Sequence, residues 1–145
     1  EKGGNTIQQS FEKGGNTIQQ SLAKGEYSII LASDPKDNSL ADDLINQSPY
    51  PLHRFYSYNI DEVISLVKRA YLLITPDTSL VHIAAAFNIP MLALYSGLDN
   101  FFAKFAPTND ICEIVRAAPG DHGIKSIKPR DVTDALVRIL KRIEK

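Results

Sequence analysis

The residues best able to do chemistry lie in Thr75–Gly97, TPDTSLVHIAAAFNIPMLALYSG. An apolar run ends at Ile74, and Pro76 is expected to stop its ladder. Asp77 or Thr78 can then cap a new helix with a side-chain oxygen. The backbone N–H groups of Thr78, Ser79 and Leu80 are left facing outward, and an oriented helix N-terminus stabilises an anion there. The small hydroxyl residues Thr78 and Ser79 let a phosphate come close and add donors. His82 follows Thr78 by four residues, so both share a helix face. Its ring can donate to a phosphate or a sugar hydroxyl. Taken singly, Asp77 reads as a plain cap and His82 as a satisfied surface or core residue. Only their convergence at one helix start points to a phosphate-bearing ligand.

The elements that must hold this segment alternate along the chain. Strands are predicted at 27–32, 52–56, 71–74, 90–95 and 111–116. Helices are predicted at 39–46, from Asn59 onward, at 78–87 and at 130–142. Leu40, Leu44 and Ile45 form the expected inner face of the first helix. Asn59 with Glu62 reads as a capping box, and Val63, Ile64, Leu66 and Val67 follow as the buried stripe. Val132, Leu136, Ile139, Leu140 and Ile143 line the last helix. The strands are continuous apolar runs, which is how parallel strands covered on both faces read. The fold class is therefore α/β, a Rossmann-like, mostly parallel sheet. One strand is unaccounted for. In the doubly wound order 3-2-1-4-5-6 the first helix follows a central strand, and no strand precedes the first helix here. Either the first strand is missing, or the order differs.

The N-terminus carries an exact repeat. EKGGNTIQQS occupies Glu1–Ser10 and Glu12–Ser21. Residues 1–21 are read as a helical arm or a duplication from outside the native sequence, with Asn16 as a cap in the second copy. Residues 22–145 are the expected ligand-binding domain. Residue 1 is Glu, without a signal-type apolar run behind it, so the native start is expected elsewhere.

Composition excludes several classes. Of 145 residues, 43% are hydrophobic and 23% charged, and the formal net charge is -1. That balance fits one globular domain and asks for no nucleic-acid partner. Residues 125–145 hold seven Lys or Arg against three acids, which reads as a solvated helix face. The single Cys112 cannot form an intrachain disulfide and falls in an apolar strand, as a buried thiol does. The three histidines lack ligand spacing, so no metal site is expected. No glycine-rich phosphate loop is present, and no cofactor is called for. No stretch is long enough to be a transmembrane segment. His53-Arg54 reads as a solvated strand edge, and His122 as an exposed loop residue. Asp99, Asn100 and Lys104 fall in the long loop after Gly97, on the expected ligand side.

The segment PDTSLVHIAAAFNIPMLALYSG resembles the donor-binding segment of the bacterial heptosyltransferases, glycosyltransferases of the lipopolysaccharide inner core. Their segment runs Asp-Thr-Gly-x-x-His-x-Ala-Ala, then a turn, a proline and a strand ending near glycine. Asp77, Thr78 and His82 match it in type and spacing, and Ser79 stands where glycine is usual. The resemblance covers residue 16 to the end and is sharp over about 20 residues. It implies the second half of a two-domain (GT-B type) fold. It also implies a nucleotide-sugar donor such as an ADP-heptose at Asp77, Thr78, Ser79 and His82, with Lys104 in reach of a phosphate. The acceptor-binding N-terminal domain, with the family's catalytic base, has no counterpart here, so no residue is called catalytic. The parent enzyme is expected in the cytoplasm, peripheral at the inner membrane. A non-catalytic α/β module that keeps the fold without the ligand, and an unrelated epimerase-like domain, remain as alternatives.

Overall fold

The computed structural model describes residues 24–57, 59–99, 102 and 106–145. The repeat, its expected cap Asn16, and the site candidates Asn100 and Lys104 lie outside the described residues. All five expected strands form: β1 (Ile29–Ala32), β2 (Leu52–Phe55), β3 (Leu73–Pro76), β4 (Met91–Tyr95) and β5 (Cys112–Arg116). Between and after them come α1 (Asn38–Gln47), α2 (Ile60–Lys68), α3 (Ser79–Ala86) and α4 (Pro129–Ile143). Each strand pair is parallel, and the strands form two ladders, β1-β2 and β3-β4-β5. This is the mostly parallel α/β sheet expected from the alternation.

β4 shows why the strands read as unbroken apolar runs. Met91, Ala93 and Tyr95 alternate onto one face, where they pack with Val67 of α2 and Val81 and Ala84 of α3. Leu92 turns to the opposite face and meets Val115 and Ala135 of α4. Met91 and Leu92 are both fully buried. Each such side chain contributes about 1.5–3 kcal/mol of transfer free energy.

Several local expectations change. On α1 the buried residue is Ala41, while Leu40 and Leu44 are 60% and 51% exposed. The small side chain allows close approach to β2, and this turns the leucines outward. At α2 the capping box is relayed. Asn59 accepts from the Asp61 N–H at 2.8 Å. Glu62 meets the Ser57 hydroxyl at 2.7 Å rather than the Asn59 N–H, and that hydroxyl takes the Asn59 N–H at 3.0 Å. Pro76 does not stop β3 at Ile74. Leu73 and Asp77 donate to Pro90 and Leu94 carbonyls at 3.0 and 2.9 Å. Strand alternation turns Pro76 away from β4, where its lack of an N–H costs the ladder nothing.

Arg54 overturns the solvated-edge reading. Its side chain is 8% exposed. The guanidinium donates to the Leu31 carbonyl at 3.3 Å, to Ser33 Oγ at 2.7 Å and to Asn38 Oδ1. It also stacks 4.9 Å above the Tyr56 ring. One buried cation thus fastens β1, the loop after it and the start of α1 to β2. His53, its neighbour, is exposed as expected.

Candidate functional site

The turn from β3 into α3 begins with a buried hydroxyl. Thr75 is 2% exposed, on the inward-facing alternation of β3. Its Oγ1 donates to the Pro76 carbonyl at 3.0 Å and lies 3.2 Å from Thr78 Oγ1. Thr78 is the N-cap: its backbone is extended and its Oγ1 accepts the Leu80 N–H at 3.3 Å. Its carbonyl accepts the Val81 N–H at 3.1 Å. Of the two candidate caps, then, Thr78 serves and Asp77 does not. Asp77 is the last β3-β4 ladder donor, with its side chain exposed. The Leu80 N–H, expected to face outward, is taken by the cap. The Ser79 N–H has no acceptor among the described residues.

His82 stands one turn along α3, exposed, while Val81 and Ala84 bury the opposite face. Asp77, Thr78, Ser79 and His82 therefore meet on one exposed surface at the carboxyl end of β3. A partly positive helix end, two hydroxyls, an imidazole and a carboxylate can together hold a polar, anionic ligand and its hydroxyl groups.

Behind this surface lies Tyr95, 1% exposed at the carboxyl end of β4. Burial first, then the negative charge of Asp77, pushes its phenol up to about 12. Phe102 packs edge-on against the Tyr95 ring at 5.3 Å, and the Arg116 guanidinium lies 4.7 Å from the Phe102 centroid. Arg116 pairs with Asp99 at 2.7 Å. Of the loop candidates, Asp99 is thus held by the end of β5. Sequence reading missed Thr75, Tyr95 and Arg116. Strand alternation placed the first two inward, and Arg116 is the strand-end residue in register with Tyr95.

A second loop closes the same end of the sheet. Asp121 accepts from Gly123 N–H at 2.9 Å and from Ser126 N–H and Oγ at 3.1 and 2.7 Å. Its carbonyl accepts the Gly97 N–H at 2.8 Å. The Ser126 hydroxyl, then the two N–H groups, holds the Asp121 carboxyl below its ordinary 3.8. His122 beside it is exposed. Cys112 is half-buried, and burial raises its thiol above the ordinary value. Among the described residues no group of His, Cys, Asp and Glu could hold a metal ion.

Residues 16–126 match the pattern of glycosyltransferase family 9 (heptosyltransferase). The chain belongs to this family. Lipooligosaccharide heptosyltransferase 2 of Haemophilus influenzae is 28% identical over 100 residues, covering 66% of this chain and 28% of that protein. Lipopolysaccharide heptosyltransferase 2 of Escherichia coli K12 is 23% identical over 104 residues, 68% of this chain and 29% of that one. The solved E. coli ADP-heptose lipopolysaccharide heptosyltransferase II superposes with a TM-score of 0.69 at 20% identity, over 94% of this chain and 42% of that one. A family 9 glycosyl transferase from Veillonella parvula gives 0.64 at 16% identity, over 90% and 40%. This family 9 chain thus spans under a third of its curated relatives and about two fifths of the solved chains. Its fold corresponds to part of a larger two-domain glycosyltransferase.

Proposed function

We propose that this chain is the nucleotide-sugar (donor) domain of a glycosyltransferase that moves a heptose or similar sugar to a lipopolysaccharide-core acceptor. The observation that carries the reading is the exposed start of α3. Thr78 caps it, the Ser79 N–H has no acceptor among the described residues, and Asp77 and His82 flank it, in a chain of heptosyltransferase type. In this reading the donor diphosphate sits on Thr78, Ser79 and the helix end. His82 and Asp77 contact phosphate or sugar hydroxyls, and Lys104 reaches a phosphate. These groups would steady the leaving nucleoside diphosphate as the acceptor hydroxyl attacks the anomeric carbon. The base that takes the acceptor proton belongs to the acceptor-binding partner domain. The intact enzyme works in the cytoplasm, at the inner membrane surface. Among the described residues no helix is long and apolar enough to cross a membrane.

Titration with ADP and ADP-heptose, followed by amide chemical shifts, tests the reading. Shifts centred on Asp77–His82, weakened in His82→Ala with the fold unchanged, are expected. A helix end offers an anion about 0.3–1 kcal/mol and each charge-assisted hydrogen bond roughly 1.5–3 kcal/mol. Binding is therefore expected between millimolar and high micromolar. Shifts scattered over the surface and unchanged in His82→Ala would favour a fold kept without its ligand.

A further inference from the structure

We infer that Thr75 is a positioning residue of the donor site, one that sets which way the Thr78 hydroxyl proton points. The inference rests on the donor reading and deepens it. Among the described residues Thr75 is the buried polar one, at 2% exposure, in a strand whose neighbours in the core are apolar. A buried hydroxyl costs free energy unless it is bonded. Val has the same shape, suits a strand equally and carries no such demand. What the Thr75 hydroxyl adds to the molecule is therefore its hydrogen bonds.

A threonine hydroxyl has one proton to give and two lone pairs to receive with. The Thr75 hydroxyl donates to the Pro76 carbonyl at 3.0 Å. Its Oγ1 also lies 3.2 Å from Thr78 Oγ1, a contact that either oxygen can donate to. With the Thr75 proton on Pro76, the Thr78 proton fills this contact and points inward. The Leu80 N–H occupies one Thr78 lone pair at 3.3 Å. In the free chain the exposed face of Thr78 thus offers a lone pair, which repels an oxyanion.

A phosphate needs the Thr78 proton. The Pro76 carbonyl and Thr78 Oγ1 both lie within reach of the Thr75 proton as it rotates about the Cβ–Oγ1 bond. Turning that proton to Thr78 releases the Thr78 proton to the ligand. Thr78 Oγ1 then accepts from Thr75 and Leu80 and donates to the phosphate, with its whole capacity used. Pro76 is exposed, so water takes over its carbonyl. Anion binding at Thr78 therefore carries the cost of one exchanged hydrogen bond, and Thr75 sets that cost.

Titration of the whole chain with ADP, read from the amide shifts of Asp77–His82, tests this. Thr75→Val removes both the proton and the lone pair that compete for Thr78. ADP is expected to bind this variant about 2- to 10-fold tighter than the parent, the weight of one exchanged hydrogen bond. A purely structural role for Thr75 would weaken binding instead. Thr75→Ser keeps the hydroxyl and is expected to match the parent. In a Thr78→Ala background, Thr75→Val is expected to change nothing. ADP binding in the parent that Thr75→Val leaves equal or weaker overturns the inference and leaves the donor reading standing. So does a gain that survives Thr78→Ala, or one that Thr75→Ser shares. No ADP shifts at Asp77–His82 in the parent overturn the donor reading, and this inference with it. If Thr75→Val does not fold, proton NMR of the parent decides. Cross-peaks from the Thr78 hydroxyl proton to Thr75 are expected in the free chain and are expected to vanish in saturating ADP. Their absence from the free chain, or their persistence with ADP bound, overturns the inference.

Discussion

At the residue scale, Thr78 and Asp77 are adjacent and have separable roles. Thr78→Ala removes the oxygen that holds the Leu80 N–H. Urea unfolding is expected to show a loss of about 0.5–2 kcal/mol, the usual cost of deleting an N-cap. Asp77→Ala keeps the backbone N–H that closes the β3-β4 ladder. Its stability is expected to stay within about 0.5 kcal/mol of the parent, as for an ordinary surface substitution, while donor shifts weaken. Sequence alone left the cap open between these two, because both residue types cap helices. The deciding fact is that β3 runs on through Pro76, and this required knowing which way each N–H points. Arg54 was misread for a related reason. A charge next to a turn looks solvated until its partners, Leu31, Ser33 and Asn38, arrive from elsewhere in the chain. Arg54→Ala strands those acceptors in a part-buried site. Its unfolding free energy is expected to fall by about 1–3 kcal/mol, a larger loss than the exposed His53→Ala gives.

At the scale of elements, the loops after β4 and β5 act as one unit. Gly97 is buried, and a Cβ there would lie 1.8 Å from the Ala118 carbonyl oxygen. Gly97 also exchanges backbone hydrogen bonds with Asp121 and Gly120, at 2.8 and 3.2 Å. Gly97→Ala must therefore push the two loops apart. A loss of about 1–3 kcal/mol, the usual cost of overpacking, is expected in denaturant, with amide shifts spreading from 97 to 126. Asp121 adds a pH dependence of known sign. Its folded carboxyl titrates below 3.8, whereas the unfolded one titrates near 3.9. Its stabilising contribution is thus complete above the unfolded value and is lost as pH falls through the folded one. Carbon NMR of the side chain should place the Asp121 midpoint below 3.8, and Asp121→Asn should flatten the acid limb of stability. The regular elements were legible because long apolar runs and 3.6-residue stripes come from burial on one or two faces. The loop clamp was not. It depends on a glycine, an aspartate and a serine far apart in sequence, none of which belongs to a period.

At the scale of the molecule, the Rossmann-like class was readable from the alternation of apolar strands and helices, and the family from one segment, where Asp77, Thr78 and His82 sit at fixed helical spacing. The division of the sheet into two ladders was not readable, because an apolar run says that a strand is covered and not which strand lies beside it. The same whole-molecule view bears on catalysis. Transfer needs three things at once: a donor held by its diphosphate, an acceptor hydroxyl aligned with the anomeric carbon, and a base within hydrogen-bond reach of that hydroxyl. The exposed groups at the start of α3 suit the first. Asp77 and His82 flank the exposed start of α3, and in the proposed reading both serve the leaving group rather than an acceptor. The chain also spans only 28–29% of its curated relatives. Incubated with ADP-heptose and a lipopolysaccharide-core acceptor, it is therefore expected to give no glycosylated product by mass spectrometry, even at donor levels that produce amide shifts. Adding the acceptor-binding half of a family member in trans should leave the donor shifts in place, with turnover appearing only if the two halves associate. Product formed by this chain alone, and abolished in His82→Ala or Asp77→Ala, would place the base at the start of α3 and overturn this division of labour.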